Sequence, residues 1–458
     1  APLPISAARS RSLAKAEPDE WEDVLSVEKP VHAFKTEPVV AFANIFAKNS
    51  HQLATARRHG VYAPVEAALK KPGEQVFEAV MKSGLVGGSR GGYSAARKWE
   101  AVRLARGAPK YIVVNADEGE PGTFKDRIIL ERDPHLLIAG AILAAHALGA
   151  TDAFIYVRGE YELAAERLRT AVDEANRAGL LGEDILGSGT TLRMHVRLGG
   201  GAYLPAEGTA LLESLEGRLP RPRDPSLRPE EAGLFGKPTL INNVETLSLV
   251  PAIVTNGPDW YRSLGESGAI GMKIFSLSGD VKRPGNYELP RGTPMRKLVD
   301  ELGGGLGQGK TVTALMVGGG ASPLLKPEAL DAALSDDALG ELGACVGTGA
   351  VVVITEKSCL FDLARREIAF FARKSCGACE TCRETAREVV NAMDALGADR
   401  EAAEKRILDA WTQMRESTRC GHAETLAPVR SLLKDFPTAV DAHFAGDCPC
   451  NPKKGRRA

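Results

Sequence analysis

The stretch SCGACETCRET at residues 375–385, followed by STRCGHAE at residues 417–424, determines how the C-terminal part of the chain folds. It sets three cysteines in the order C-x2-C-x2-C, and a fourth follows after 37 further residues. Three thiolates at this spacing can turn toward one point, and a remote fourth completes the ligand set of an iron–sulfur cluster. Zinc also accepts four thiolates, but its usual pattern is two separated C-x2-C pairs. The sequence therefore predicts an iron–sulfur site, with zinc and unliganded buried cysteines as the alternatives. The predicted ligands are Cys376, Cys379, Cys382 and Cys420.

The composition is that of an ordinary soluble protein. A length of 458 residues indicates about three domains, and the hydrophobic and charged fractions are 44% and 26%. The net charge of −1 offers no basic field for nucleic acid. No apolar run reaches the roughly 18–20 residues of a membrane-spanning helix, so no direct membrane insertion is expected. The first residues resemble a flexible extension rather than a secretory signal, which predicts a reducing, cytoplasmic location.

Four cysteines lie outside the predicted cluster. Cys345 and Cys359 have apolar neighbours in the sequence, which indicates core residues. Cys448 and Cys450 belong to the terminal stretch DCPCNPKKGRRA. For this stretch the sequence favours a disordered end over a second metal site.

A glycine-rich loop, SGLVGGSRGGYSAARKWEAVRLARG at residues 83–107, runs into an amphipathic helix that is predicted to start near Ser94. Glycines permit tight turns and a close approach of the backbone, and a helix N-terminus behind them favours an anion. Nearby cations and the strand that follows favour phosphate binding over a purely structural turn. The candidate residues are Gly87, Gly88, Arg90, Gly91, Gly92 and Lys98.

An acidic loop follows the predicted strand YIVVN at residues 111–115. It brings Asn115, Asp117, Glu118 and Glu120 to the carboxyl end of a predicted parallel strand, where α/β sheets bind ligands. Such loops also cap the next helix. Four polar groups in six residues favour ligand contact over capping alone.

The β-α-β alternation continues to about residue 250. A second glycine loop at residues 197–217 leads to a helix predicted to begin near Glu207. Further on, GKPTLINNVETLSLV places Asn242, Asn243 and Thr246 at another helix start. Asparagines there can cap the helix, and they also suit the polar edge of a flat heterocycle. The residues alone favour capping.

From residue 271 the pattern changes to a small β-plus-helix module of predicted β-grasp-like arrangement, and from about 356 to 445 the chain is predicted to be helical. Cys376 to Cys382 are expected to open a helix, whose positive end would stabilise thiolates. The predicted division is an N-terminal extension at 1–41, an α/β domain at 42–264, the β-grasp-like module at 265–345, the helical bundle at 346–447 and a tail at 448–458.

With these motifs in hand, residues 42–445 resemble the flavoprotein subunit that opens the electron path of respiratory complex I, a family shared with NAD-linked formate dehydrogenases and NAD-reducing hydrogenases. The motifs that carry the resemblance are NADEGEPGTFKDR, GLFGKPTLINNVETL, SGDVKRPGNYELP, GTGAVVVI and the cysteine set. The resemblance implies an α/β domain that binds FMN, an SLBB-type module of β-grasp form, and a helical bundle that holds one [4Fe-4S] cluster.

The resemblance also implies roles for single residues. Glu120 occupies the position of a carboxylate beside the nicotinamide-nucleotide site, and Lys98 would stabilise the flavin phosphate or the charge of the reduced flavin. Implied contacts to FMN are Gly87, Lys98, Asn115, Asp117, Glu118, Tyr203, Glu207, Asn242, Asn243 and Thr246.

The chain also departs from the family pattern. Ala101 stands where the family commonly has an aromatic residue that stacks on the nucleotide, and Gly208 replaces a carboxylate of the NAD site. Arg228 replaces another stacking aromatic, although a guanidinium plane can also stack. The first glycine loop, GGSRGGYSAA, is altered too. Each lost stacking contact costs on the order of 1 kcal/mol, so the departures predict weakened or altered NAD binding.

The leading hypothesis is an oxidoreductase subunit that passes electrons between NAD(H), FMN and a [4Fe-4S] cluster. Its implied partners are a small [2Fe-2S] subunit and a larger iron–sulfur or catalytic subunit. One alternative is a relay or scaffold subunit that keeps the cluster but has lost NAD, with or without FMN. Another is a zinc-stabilised binding module.

Overall fold

The strand Lys110–Ala116 lies at the centre of the N-terminal half. In the computed structural model, which describes residues 32–88, 94–200, 208–418 and 420–450, it pairs with a parallel strand on each side. Ile112, Val113 and Val114 are fully buried, as expected of β-branched residues in a parallel sheet covered on both faces. Contacts group the described residues into one unit.

The strands of the described residues are β1 (Ala33–Phe34), β2 (Lys110–Ala116), β3 (Ala150–Val157), β4 (Arg193–Leu198), β5 (Thr239–Asn243), β6 (Met272–Gly279), β7 (Gly285–Pro290), β8 (Val312–Val317), β9 (Leu324–Leu325) and β10 (Ala350–Thr355). The α-helices are α1 (Leu53–Arg58), α2 (Ala63–Ala68), α3 (Glu74–Ser83), α4 (Ala95–Leu104), α5 (Lys125–Arg132), α6 (Pro134–Leu148), α7 (Glu162–Arg177), α8 (Ala210–Leu215), α9 (Pro229–Ala232), α10 (Val244–Asn256), α11 (Pro258–Ser263), α12 (Asp336–Glu341), α13 (Leu360–Lys374), α14 (Glu380–Ala395), α15 (Arg400–Ser417), α16 (Ala427–Asp435) and α17 (Pro437–Phe444). Short 3-10 helices span Ile185–Gly187, Leu234–Gly236, Pro327–Asp331 and Gly421–Leu426, and a π-helix spans Lys297–Leu302.

The first sheet is parallel, in the order β4-β3-β2-β5. Helix α6 begins with proline at its first position, and the Asp133 side chain accepts a hydrogen bond from the Leu136 amide, which satisfies a free donor of the first turn. Every residue of α6 except His146 is buried. A Cβ atom at Gly140 would lie 2.0 Å from the Leu247 carbonyl oxygen of α10, so glycine is needed for these two helices to approach.

The second sheet has the order β1-β7-β6-β10-β8-β9. Strand β10 lies near its middle, parallel to β6 and antiparallel to β8. The predicted boundary at 345/346 falls before β10 and so cuts through this sheet. The physical reason is pairing over a long distance in sequence: GTGAVVVI precedes the helical region, but its strand completes the β module.

The end of the predicted N-terminal extension also belongs to the folded unit. Strand β1 pairs in parallel with β7. The buried Glu288 carboxylate of β7 accepts the backbone N–H groups of Val40, Ala41 and Phe42 at 2.8–3.0 Å. Residues 32–41 are thus not a free arm, in contrast to the predicted extension at 1–41. Its first 31 residues lie outside the described ranges.

The C-terminal helices α13 to α17 form the predicted bundle. Ile368 and Phe371 of α13 are fully buried, as are Met393 of α14, Ile407 of α15 and Leu432 of α16. Most of these side chains belong to one hydrophobic core that the bundle helices share. The predicted helical span of 356–445 is confirmed as helices between residues 360 and 444.

Candidate functional site

The polar residues predicted at two strand ends lie side by side. Strands β2 and β5 are neighbours in parallel register, with Asn115 opposite Asn243. The Asn243 side-chain amide donates to the Asn115 carbonyl oxygen at 3.3 Å. The Asn243 oxygen also accepts from the Glu245 amide at 3.1 Å, which confirms the predicted cap of α10. The carboxyl edge of the sheet therefore gathers the predicted ligand-binding residues, where parallel sheets bind ligands.

Helix α4 adds a cation and an aromatic residue to this edge. The indole N–H of Trp99, which is fully buried, donates to the Asn242 Oδ1 atom at 2.9 Å. The Lys98 Nζ atom lies 3.5 Å from the Ile241 carbonyl oxygen. Burial lowers the pKa of Lys98. The predicted start of this helix is confirmed, because the Ser94 side chain accepts from the Arg97 amide.

The first glycine loop reaches α10 through Gly88. Its amide donates to the Thr246 Oγ1 atom at 3.0 Å, so Thr246 anchors the loop. A Cβ atom at position 88 would lie 2.6 Å from the Asn243 Oδ1 atom, so only glycine fits this approach. Gly87 precedes it, partly buried. Predicted contacts outside the described residues are Arg90, Gly91, Gly92, Tyr203 and Glu207.

The acidic loop divides its carboxylates between two tasks. Glu118 caps α5: its Oε1 atom accepts the amides of Lys125 and Asp126 at 2.8 and 2.9 Å. The Tyr161 hydroxyl donates to its other oxygen at 3.1 Å. The observed contacts of Glu118 are therefore those of a helix cap, which was the alternative to ligand contact. Burial, with Asp126 nearby, raises the pKa of Glu118 to about 7.

Asp117 remains at the sheet edge. Its amide donates to the Asn115 Oδ1 atom at 3.1 Å, which shapes the start of the loop. Burial raises the pKa of Asp117 to about 6, although the Arg158 guanidinium opposes the rise. Arg158 itself donates to the Glu118 carbonyl oxygen at 2.9 Å. An acceptor that protonates near neutral pH thus lies beside the strand end.

Glu120 meets the β module. Its Oε1 atom accepts the Ala321 amide at 3.0 Å. A Cβ atom at Gly319 would lie 2.5 Å from the Glu120 side chain, and one at Gly320 would lie 2.5 Å from the Glu367 Oε2 atom. Burial, together with Glu120, raises the pKa of Glu367 to about 8. The glycine turn after β8 therefore lies between two carboxyl groups, one from each neighbouring region.

Four buried charges behind the loop were not predicted. The Lys125 Nζ atom lies 2.6 Å from Asp126 and 3.0 Å from Glu245, and the Lys273 Nζ atom lies 2.7 Å from Glu245. Burial alone would raise the pKa of Glu245, but the two lysines lower it to about 2. The pKa of Lys273 falls to about 8, because burial and the charge of Lys125 outweigh the attraction of Glu245. The sequence signal for this group was KDR within the acidic motif. Glu245 and Lys273, which complete the group, lie more than 100 residues further along the chain.

Three of the predicted cluster cysteines lie around the start of α14. Cys379 is the residue that precedes the helix, and Cys382 lies in its first turn. Burial raises the pKa of the Cys382 thiol to about 11, and the Cys379 and Cys376 thiols raise it further because they lie nearby. The Ser375 hydroxyl is 3.7 Å from the Cys382 sulfur. The fourth cysteine, Cys420, precedes the 3-10 helix that leads into α16.

The family comparisons match three regions. The family model of the Nuo51 FMN-binding domain matches residues 80–252, and that of the SLBB domain matches residues 274–322. The NADH-ubiquinone oxidoreductase-F iron-sulfur binding region matches residues 362–443. These regions correspond to the parallel sheet, the second sheet and the bundle. The predicted fold class and the FMN and [4Fe-4S] cofactors are confirmed.

Relatives extend the match over most of the chain. The NADH-quinone oxidoreductase F 2 subunit of Rhizobium meliloti is 45% identical over 349 residues, which are 76% of this chain and 83% of that protein. The chain belongs to the family of NADH-quinone oxidoreductase F subunits. The NADH-quinone oxidoreductase F subunit of Mycobacterium bovis is 41% identical over 415 residues, or 88% of this chain and 93% of that protein.

Two solved structures of a hydrogenase have the same fold. The NAD+-reducing [NiFe]-hydrogenase in its H2-reduced state matches with a TM-score of 0.78 and 32% identity, over 90% of this chain and 67% of that chain. The air-oxidised state gives a TM-score of 0.75 and 33% identity, over 87% of this chain and 65% of that chain. The chain is therefore an electron-transfer oxidoreductase subunit of a multisubunit complex, and the alternative of a relay or scaffold subunit is not favoured.

The resemblance drawn from motifs is thus confirmed. Within the described residues, no helix combines the length and the apolar character that crossing a membrane requires.

Proposed function

We propose that this chain passes electrons between NAD(H), FMN and one [4Fe-4S] cluster. The observation that carries the proposal is the carboxyl edge of the parallel sheet, where Asn115, Asn242 and Asn243 meet beside Lys98 within the region that matches an FMN-binding domain. FMN, when bound, exchanges a hydride with nicotinamide and releases electrons singly to an iron–sulfur cluster.

The residues at this edge fit a flavin nucleotide. Gly88 lies so close to Asn243 that a side chain would fill the approach, which leaves backbone to line the space. Lys98 supplies positive charge for the phosphate or for reduced flavin. Asn115, Asp117 and Asn242 offer donors and acceptors to the polar parts of the cofactor. Thr246 holds the loop end in place through the Gly88 amide.

We place the nicotinamide nucleotide near Glu120. Its carboxylate is fixed by the Ala321 amide, so its position depends on the β module as well as on the acidic loop. Ala101 and Gly208 replace an aromatic residue and a carboxylate of the family pattern. A Cβ atom at Gly208 would contact only Ile241 among described atoms, at 3.9 Å, so this position has room for the missing carboxylate.

The cluster would be held by the four predicted cysteines, and the proximity of three of them, Cys376, Cys379 and Cys382, supports this part of the proposal. The Cys376 and Cys379 thiols are close enough to Cys382 to raise the pKa of its thiol, and Cys379 lies at the positive end of a helix of 16 residues. The positive end of a helix stabilises a thiolate. A cationic iron core, when present, would bind neighbouring cysteines in their thiolate form.

We further propose partners of the kind implied by the family resemblance: a small [2Fe-2S] subunit and a larger iron–sulfur or catalytic subunit. We also propose a cytoplasmic location at the periphery of a membrane complex. The proposed location is supported by the relatives, which are NADH-quinone oxidoreductase subunits.

Anaerobic titration of the purified chain with NADH, and separately with NADPH, tests the electron path while the visible spectrum is followed. One nucleotide is expected to bleach the flavin band and then reduce the cluster. Glu120→Gln should weaken the nucleotide response without removing bound flavin. Cys382→Ser should keep flavin bleaching and lose the paramagnetic signal of the cluster. If neither nucleotide reduces a bound flavin, the proposal is wrong.

A further inference from the structure

Four potential metal ligands meet at a second place, away from the predicted cluster cysteines. The ligand atoms of Cys359, His443, Cys448 and Cys450 all lie within 4.8 Å of one another. The His443 Nδ1 atom is 3.4 Å from the Cys359 sulfur and 3.5 Å from each of the other two sulfurs. The sequence favours a core residue at 359 and a disordered end at 448–450. Both predictions miss this meeting, because the chain segments that form it are 84 residues apart.

The sulfur–nitrogen distances match those of a tetrahedral site. With Zn–S bonds of about 2.3 Å and a Zn–N bond of about 2.0–2.1 Å, a tetrahedron has S···N edges of about 3.5 Å and S···S edges of about 3.8 Å. All three S···N distances agree with the first value. The Cys448 and Cys450 sulfurs are 2.8 Å apart. A bound ion would increase the distance between these two sulfurs by about 1 Å.

We propose that Cys359, His443, Cys448 and Cys450 bind one structural Zn²⁺ ion. Three sulfurs and one imidazole nitrogen are a known zinc ligand set, and a set of four protein ligands leaves no open position for catalysis. Soft thiolate donors in a tetrahedron also select zinc over magnesium or calcium, which prefer oxygen ligands. The proposal stands independently of the nucleotide and flavin chemistry.

The surroundings hold two of these ligands in place. The Asp362 amide, in the first turn of α13, donates to the Cys359 sulfur at 3.4 Å, so a thiolate there would lie at the positive end of a helix. The Phe361 ring stacks on the His443 ring with centroids 4.1 Å apart and planes at 24°. Contacts of this kind fix the orientation of metal ligands.

The position indicates what the ion would do. Cys359 precedes α13, and Cys376 follows the other end of this 15-residue helix, so the two metal sites are separated by about 22 Å of helix. His443 lies in the last turn of α17. Zinc would therefore tie the end of the described chain to the start of the helix that leads to the cluster cysteines.

Metal analysis of the full chain, purified anaerobically from cells supplied with iron and zinc, tests the proposal. We expect about one zinc and about four iron atoms per chain. Cys448→Ser should lower zinc by about five-fold or more and leave iron unchanged. Cys382→Ser should do the reverse. Cys345→Ser changes a cysteine outside both sets and should alter neither metal.

A second measurement uses the unaltered chain, in case a variant does not fold. Cys448 and Cys450 should resist alkylation in the zinc-loaded protein and react after a chelator has removed the zinc, as read by peptide mass spectrometry. Co²⁺ added alone to the chelated protein should give the intense visible bands of tetrahedral thiolate coordination.

Three results would overturn the proposal. They are zinc retained in Cys448→Ser but lost in Cys382→Ser, a Cys448–Cys450 disulfide in the anaerobically purified chain, and rapid alkylation of both thiols in protein supplied with zinc.

Discussion

Replacing Glu245 with glutamine tests how the flavin domain is held together. The variant keeps the size of the side chain but leaves Lys125 and Lys273 with Asp126 as the one carboxylate of the group of four. The lysines hold the pKa of Glu245 at about 2 against burial, compared with an ordinary 4.5. This difference corresponds to about 3 kcal/mol of stability. Removing one partner of a buried ion pair costs roughly 3–5 kcal/mol, which is consistent with this value.

Thermal unfolding of the full chain, followed by circular dichroism and by flavin fluorescence, provides the assay. At about 2–4 °C per kcal/mol, Glu245→Gln should lower the midpoint of the transition that releases flavin by roughly 6–20 °C. Glu78→Gln is the matched control, because its ion pair with Lys82 is exposed and contributes at most about 1 kcal/mol. Lys273→Met added to Glu245→Gln should recover part of the loss.

The pH dependence has a definite sign. A carboxyl group whose pKa is lowered by folding stabilises the protein fully above its unfolded pKa of about 4.5, and this contribution is lost as the pH falls toward about 2. The difference between the original chain and Glu245→Gln should therefore shrink in acid. A midpoint shift for Glu245→Gln no larger than that for Glu78→Gln would refute the reasoning.

Three further predictions concern single sites. Gly88→Ala should weaken FMN retention and destabilise the protein by about 1–3 kcal/mol, because its Cβ atom would meet Asn243 at 2.6 Å; Gly340→Ala, where a Cβ atom meets nothing within 4 Å, should retain FMN in the same flavin assay. Burial raises the pKa of Glu288 to about 7, so the free energy of unfolding should fall as pH rises from about 4.5 to 7, and Glu288→Gln should flatten that profile in denaturant titrations. Burial, together with Glu120, raises the pKa of Glu367 to about 8, so the rate of NADH oxidation by the original chain is expected to change near pH 8 as this group loses its proton; Glu367→Gln should keep the rate at pH 7 and remove that change, and an unchanged profile would exclude Glu367 as its source.

Local motifs predicted the elements and the gathering of polar residues at the carboxyl edge of the parallel sheet. The strand YIVVN, the helix start at Ser94 and the cap at Asn243 are all read from residues within a few positions of one another. The order of motifs along the chain was also sufficient to recognise the family. These features are local, so periodicity and turn chemistry carry them.

Long-range pairing accounts for most of what was missed. Strand β10 joins a sheet whose other members precede it, and nothing in AVVVIT itself identifies those neighbours. Glu367 lies within an ordinary amphipathic helix, and its place opposite Glu120 arises from helix docking. The ligands of the proposed zinc site show no C-x2-C spacing, so only the fold brings them together.

The residue Phe124, which immediately precedes α5, connects the start of this helix to the second sheet through its backbone. Its amide donates to the Ser276 hydroxyl at 3.1 Å, and its carbonyl accepts from the Asn286 side chain at 2.9 Å. Ser276 and Asn286 also bond to each other at 2.8 Å. A chimaera that exchanges the second sheet with that of a relative would need side chains at positions 276 and 286 that make the same hydrogen bonds. Without them, the amide and the carbonyl of Phe124 would lose these hydrogen-bond partners.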